Sequence, residues 1–269
     1  MLELINKVKA INPLVLHYTN EVTINDCANI TLALGASPLM SYSNEEVEEI
    51  VSIASSVVIN IGTMNSNRLD LFLQAGKAAN KFNKPVILDP VGVFATKTRT
   101  DFTNKLLNKI KFDVVKGNVA EIKFIGGLDV RGQGVDSFDD GEDISEVIKK
   151  IAKKLGCIVV ATGKVDFISD GNTVIKIFNG TSKLKSVTGT GCMTGSLIGS
   201  YLGAYNSLEG RERDNFKKVE VVAMGVLTMA VSGELADKDN IAIGTFKEEL
   251  MNNVYEMNID KLKEYGRIE

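Results

Sequence analysis

The sequence predicts an α/β fold with a mainly parallel central sheet covered by helices on both faces. Three observations carry this expectation. Short β-branched runs recur, each ending in Gly, Asp or Asn, and they read as strands buried on both sides. Longer segments with helical spacing lie between them, and strand–helix–strand alternation implies parallel strands joined by crossovers. One stretch breaks the alternation with an Asp-Gly turn between two alternating segments. It reads as a hairpin that adds antiparallel strands at the sheet edge.

The strand runs are VVINIG (57–62), PVILDPVG (85–92), FDVVKGN (112–118) and CIVVATG (157–163). Residues 44–56 begin with Asn44 as a cap and with acids that suit the positive end of a helix. Residues 66–83 offer Ser66 as a cap, with Leu69, Phe72, Leu73 and Ala75–Ala79 behind it. Residues 143–155 repeat the pattern. FISDGNTVIKIFNG (167–180) is the hairpin, and from Cys192 on the chain reads as almost wholly helical. GGLDVRGQGVDSFDDGED (126–143) is rich in Gly and Asp and reads as a mobile surface loop that could serve as a lid. No stretch has linker composition and only four prolines occur, so residues 1–269 are expected to form one domain.

The chain is 44% hydrophobic and 24% charged, as expected of a globular protein, and its net charge is −3. That charge argues against a nucleic-acid surface, which needs clustered Lys and Arg. The basic run KLLNKIKFDVVK (105–116) reads as a solvated helix face. Three cysteines, Cys27, Cys157 and Cys192, have no metal-like spacing and suit a reducing compartment, so the cytoplasm is expected. The N-terminal residues lack the apolar core of a signal peptide. Two apolar stretches, 192–205 and 219–236, read as buried core helices and not as membrane spans.

Ligands of parallel sheets bind beyond the carboxyl ends of the strands. Asp89, Lys116, Asn118, Glu121, Thr162 and Gly163 stand there, and two carboxylates near phosphates would suit Mg²⁺. Singly, Asp89 and Asn118 could simply cap the helices that follow; as a set at successive strand ends, a ligand site is the stronger reading. In VTGTGCMTGS (187–196), Gly189, Thr190, Gly191 and Cys192 precede a helix expected to begin near Met193. Glycines turn backbone amides inward and a helix start adds positive partial charge, which makes a cradle for an anion. The same field is expected to lower the Cys192 thiol below its ordinary ~8.5. Gly195, Gly199 and Gly203 recur every four residues, a pattern of close helix packing. Covalent catalysis by Cys192 would need a base, and His17, the single histidine, is far away in sequence and reads as structural. A kinase therefore ranks above a Cys-dependent hydrolase. Neither GxxxxGK[ST] nor GxGxxG after the first strand occurs, which excludes a P-loop and argues against a Rossmann site.

GTGC, DPVG after a strand, GNVAE and VATGK resemble the ribokinase-like fold. YTNEVTINDCANITLALGASPLM (18–40) and RGQGVDS (131–137) narrow the resemblance to the hydroxyethylthiazole kinase family, over nearly the whole chain. The resemblance implies ATP-dependent phosphorylation of 4-methyl-5-(2-hydroxyethyl)thiazole with Mg²⁺, in thiamin salvage, by a homotrimer with its thiazole site near subunit interfaces. It implies that Asn20, Met40 and Gly189 bind the thiazole. Lys116, Asn118, Thr162, Gly163, Thr190 and Gly191 should contact ATP, and Asp89 and Glu121 should serve Mg²⁺. Most ribokinase-like enzymes have Asp as base where Cys192 stands, and Cys fits the thiazole branch. Lys116 stands where many have Arg, which bears only on bidentate phosphate contact. A thiol is tolerable as a weak base because phosphoryl transfer depends mostly on positioning and charge stabilisation. A related kinase of a hydroxymethylpyrimidine or pyridoxal-type alcohol, a thiol hydrolase and a non-catalytic nucleotide-binding regulator are the competing readings.

Overall fold

The structure is a computed structural model that describes residues 1–128, 143–237 and 241–269. In chain order the elements begin with α1 (Leu4–Ile11), β1 (Leu14–Tyr18), α2 (Ile24–Leu34), β2 (Ser37–Met40), α3 (Val47–Ile53) and β3 (Ser56–Asn60). α4 (Ser66–Lys81), β4 (Val86–Asp89), α5 (Lys97–Lys109), β5 (Val114–Asn118) and α6 (Val119–Ile125) follow. Then come α7 (Ser145–Leu155), β6 (Ile158–Thr162), β7 (Asp166–Ser169) and β8 (Val174–Ile177). The helices α8 (Thr190–Asn206), α9 (Gly210–Asp214), α10 (Lys218–Ala236), α11 (Ile243–Tyr255) and α12 (Ile259–Tyr265) complete the chain.

The strands form one sheet in the order β2-β1-β3-β4-β5-β6-β7-β8. β2 through β6 in that order are mutually parallel, and the β7–β8 hairpin adds the antiparallel end, as the Asp170-Gly171 turn predicts. The far side of β8 is covered by the C-terminal residues, where Lys176 and Glu269 exchange both backbone hydrogen bonds. β2, at the other end, pairs on one side only among the described residues.

Strand residues alternate between two cores, as the two-residue period requires. Val15, Val58, Ile87 and Val114 face α1, α2, α8, α10, α11 and α12. Leu16, Val57, Leu88 and Val115 face α3 to α7. α8 lies close against this sheet. A Cβ on Gly199 would meet Val58 and Val15 at 2.9 and 3.0 Å, and one on Gly203 would meet Ser55 and Pro13 at 3.0 and 3.1 Å. The glycine spacing is therefore a packing device at those two positions, while Gly195 has only ordinary contact, 3.9 Å from Val58. The apolar stretch 219–236 is a core helix: α10 packs against α8 and α11 and most of it is buried. The basic run on α5 does keep a solvated face, with Lys105 and Lys109 exposed.

Several local expectations need correction. β1 and β2 do not stand out as β-branched runs, because LVLHY ends in polar and aromatic residues and SPLM contains Pro38. Pro38 is tolerated there because β2 lies at the sheet edge. α3 starts at Val47 behind Glu46, and Asn44 does not cap it. The cap of α4 is Asn65, whose side chain accepts from the Arg68 amide at 3.0 Å, and Ser66 is already helical. α8 begins at Thr190 and not near Met193, so Thr190, Gly191 and Cys192 form its first turn. The loop expected over 126–143, with RGQGVDS inside it, falls mainly on residues 129–142, which lie outside the described residues.

Candidate active site

The alternation that places Val15, Val58, Ile87, Val114 and Val160 on the α8 side carries a polar residue two positions on in each strand. These are His17, Asn60, Asp89, Lys116 and Thr162, at or near the carboxyl ends. Register aligns Asn60 with Asp89 and Asn118 with Thr162 across neighbouring strands. The start of α8 lies over this row.

Gly189 caps α8 with φ +96, and a Cβ there would stand 2.7 Å from Thr23 Cγ2, so both backbone and space call for glycine. No side chain caps the helix, and its first intrahelical bond runs from the Met193 amide to the Gly189 carbonyl at 2.8 Å. The amides of Thr190, Gly191 and Cys192 are left for an anion, as expected of an open helix start.

Cys192 Sγ accepts from Asn20 Nδ2 at 3.3 Å and from Asn60 Nδ2 at 3.2 Å. Burial pushes its thiol up, the Asp89 carboxylate adds to this, and Lys116, Thr23 and Asn20 work the other way. This reverses the expected lowering: the helix field is present, but desolvation outweighs it. His17 is not its base. The ring is fully buried, bonded to the Val15 carbonyl and to Ser196 Oγ, each at 3.0 Å, and burial pushes it down to about 4.

Asp89 is buried and does not cap a helix; Thr96 caps α5. Asp89 Oδ2 accepts from Asn60 Nδ2 at 2.9 Å and from Lys116 Nζ at 3.4 Å, while Oδ1 makes no hydrogen bond among the described residues. Burial raises the Asp89 carboxyl against the pull of Lys116. Burial alone would lower Lys116, but Asp89, Cys192 and Glu121 outweigh it and hold the ammonium charged. Lys116 also donates to the Gly191 carbonyl at 2.9 Å, so its ammonium sits beneath the first turn of α8. Glu121 accepts from the amides of Gly92 and Asn118, each at 2.8 Å, and Asn118 caps α6 in return. Burial, then Asp89, raises the Glu121 carboxyl.

Beside this cluster lies a cavity of about 700 Å³. Asn118, Thr162, Gly163, Thr190 and Gly191 line it, and Leu184, Val226, Met229 and Ala230 give it an aliphatic wall. Five of the six residues expected to meet ATP thus share one cavity, with Lys116 just behind it. Asn20, Gly189 and Cys192 converge on the other flank of the same helix turn. Met40 ends β2 in register with His17, half-buried, and makes no side-chain hydrogen bond among the described residues. Sequence reasoning missed Asn60. Its signal was a polar residue two positions after a buried valine at a strand end, the same placement as Asp89 and Lys116.

The family profile described as "Hydroxyethylthiazole kinase family" matches residues 5–260. The chain belongs to the hydroxyethylthiazole kinase family. It is 64% identical to the hydroxyethylthiazole kinase of Clostridioides difficile (strain 630), over all of this chain and 99% of that one. The solved structure of the hydroxyethylthiazole kinase protein from Pyrococcus horikoshii OT3 is similar with a TM-score of 0.87 at 33% identity, over 100% and 97% of the two chains. A pyridoxal kinase from Staphylococcus aureus, solved with ADP, shares the fold alone, at 17% identity and a TM-score of 0.59 over 81% and 86%. Within this family the Cys–His hydrolase reading has no support, since His17 is committed to Ser196.

Proposed function

We propose that this chain transfers the γ-phosphoryl group of ATP to the hydroxyl of 4-methyl-5-(2-hydroxyethyl)thiazole, the step that returns the thiazole to thiamin synthesis. The observation that carries the reading is the first turn of α8. It borders the cavity through Thr190 and Gly191 and holds Cys192 against Asn20 on the opposite flank. A nucleotide in the cavity and an alcohol beside Cys192 would bracket the uncapped amides, where charge develops as the phosphoryl group moves. Cys192 orients the hydroxyl and takes its proton. Lys116 keeps an ammonium beneath the cradle.

Mg²⁺ belongs with Asp89 and Glu121. The donors fit it: Asp89 Oδ1 has no hydrogen bond among the described residues, and each Glu121 oxygen accepts a single backbone amide. Bound with ATP, the ion supplies neutralising charge to the phosphates. We also read residues 1–269 as one kinase domain, supported by the single sheet, and the protein as cytoplasmic, supported by three free cysteines. A homotrimer with Met40 and Asn20 near a subunit boundary is supported by the apolar Val22 and Leu32, exposed just before and along α2, the helix that packs against β2.

The test is ATP consumption with the thiazole, a hydroxymethylpyrimidine and pyridoxal, with product masses recorded. The thiazole should be the preferred acceptor, and excess chelator should stop turnover. Glu121→Gln should lower kcat far more than thiazole affinity. Better turnover of pyridoxal would overturn the substrate, and full activity in chelator would overturn the metal.

A further inference from the structure

Asn60 uses every hydrogen-bonding position of its amide. Oδ1 accepts from the Gly62 backbone amide at 2.8 Å and from Asn20 Nδ2 at 3.0 Å. Nδ2 donates to Asp89 Oδ2 at 2.9 Å and to Cys192 Sγ at 3.2 Å. A backbone N–H can only donate, so the oxygen must lie on the Gly62 side and the NH₂ on the side of Asp89 and the sulfur. The Asn20 amide is fixed in the same way, because its Oδ1 accepts from the Thr23 backbone amide at 3.1 Å. Both asparagines therefore donate to Cys192 Sγ, and neither can turn over to accept from it.

This geometry constrains the thiol. A proton on the sulfur cannot point at either amide, so it is directed elsewhere, and a thiolate keeps both donors. In both protonation states the free side of the sulfur is the one the amides leave open. The same NH₂ that holds the sulfur also holds the Asp89 oxygen, so one side chain sets the spacing between thiol and carboxylate. Asn20, Asn60 and Asp89 are buried and Cys192 is half-buried, with the Lys116 ammonium against Asp89 and the Glu121 carboxylate close enough to act on both.

We propose that Asn60 is a positioning residue for the transfer step, fixing Cys192 as a hydrogen-bond acceptor aimed at the substrate hydroxyl and tying that aim to Asp89. The proposal rests on the kinase reading of the site. Asn60 touches neither substrate in this scheme and acts through the sulfur.

Asn60→Asp keeps the acceptor oxygen for Gly62 and Asn20 and replaces the NH₂ by an oxygen that cannot serve both neighbours. A double-mutant cycle with Cys192→Ala separates positioning from general damage. Asn60→Asp should lower kcat by about tenfold or more, and in the Cys192→Ala background its cost should be severalfold smaller, the remainder coming from its contact with Asp89. Equal losses in the two backgrounds, or an unchanged kcat, would overturn the proposal. A second measurement needs no turnover and so stands apart from the kinase reading. Asn60→Ser, which adds no charge, should slow iodoacetamide labelling of Cys192 severalfold near pH 8 and leave Cys157 unchanged, read by peptide mass spectrometry. Unchanged labelling of Cys192 in a folded variant removes the link even if the thiazole is phosphorylated. If Asn60→Asp fails to fold, Asn60→Ser takes its place in the cycle.

Discussion

The thiol and the imidazole on the α8 side have opposite titration behaviour with one cause, burial. Cys192 is held above its ordinary range, so only a small fraction is thiolate near neutrality. If it takes the proton of the hydroxyl, kcat should keep climbing as pH rises above neutrality, while Cys192→Asp, with a carboxylate already ionised, should be flat there. Cys192→Ser should be slower than both at every pH. Identical profiles for parent and Asp variant would refute a proton-accepting role. A thiol adduct trapped on the parent, with an inactive but folded Asp variant, would restore covalent chemistry. His17 offers the stability counterpart. The folded ring stays neutral down to about 4, whereas the unfolded ring takes a proton below 6.5. The unfolded state therefore binds more protons in that window, and stability is lost as pH falls from 6.5 towards 4. The loss should approach about 3 kcal/mol and should be much reduced in His17→Asn, as followed by urea titration at several pH values.

Helix α8 is the element on which the site depends, and its glycines are not equivalent. Gly199→Ala puts a methyl group 2.9 Å from Val58 and should cost about 1–3 kcal/mol, whereas Gly195→Ala, in ordinary contact, should be neutral or slightly stabilising. Denaturant midpoints of the two variants decide this, and equal effects would sink it. Sequence spacing shows that these glycines face a neighbour, but not which of them touches it. The same limit runs through the other elements. β3 to β6 are legible because strands buried on both faces must be continuously apolar. β1 and β2 are not, since one ends in His17 and Tyr18 and the other spends a position on Pro38. Caps slipped by one or two residues where a second candidate stood nearby, as with Asn65 beside Ser66. Asp89, Lys116 and Glu121 were legible as strand-end residues. Asn60 was not, because its partners Asn20, Asp89 and Cys192 come from three distant segments. The direction of the Cys192 shift was misread because a helix start is written in the local sequence and desolvation is not.

At the scale of the whole molecule, Val22 and Leu32 leave apolar side chains 66% and 55% exposed just before and along α2, which packs against β2. Sedimentation should find a trimer, and Val22→Asp combined with Leu32→Asp should lower mass and activity together. A monomer fully active at nanomolar concentration would refute an interfacial thiazole site. The two rims of the sheet differ, and the difference sets a rule of growth. Backbone pairing with another copy is available at β2, but the rim at β8 is already occupied by residues of its own chain. Strand addition at β2 would therefore join two copies rim to rim, so a trimer must close through other surfaces. The residues that cover β8 pair with it through an isolated bridge, and the short rim they present in turn gives another chain little to extend.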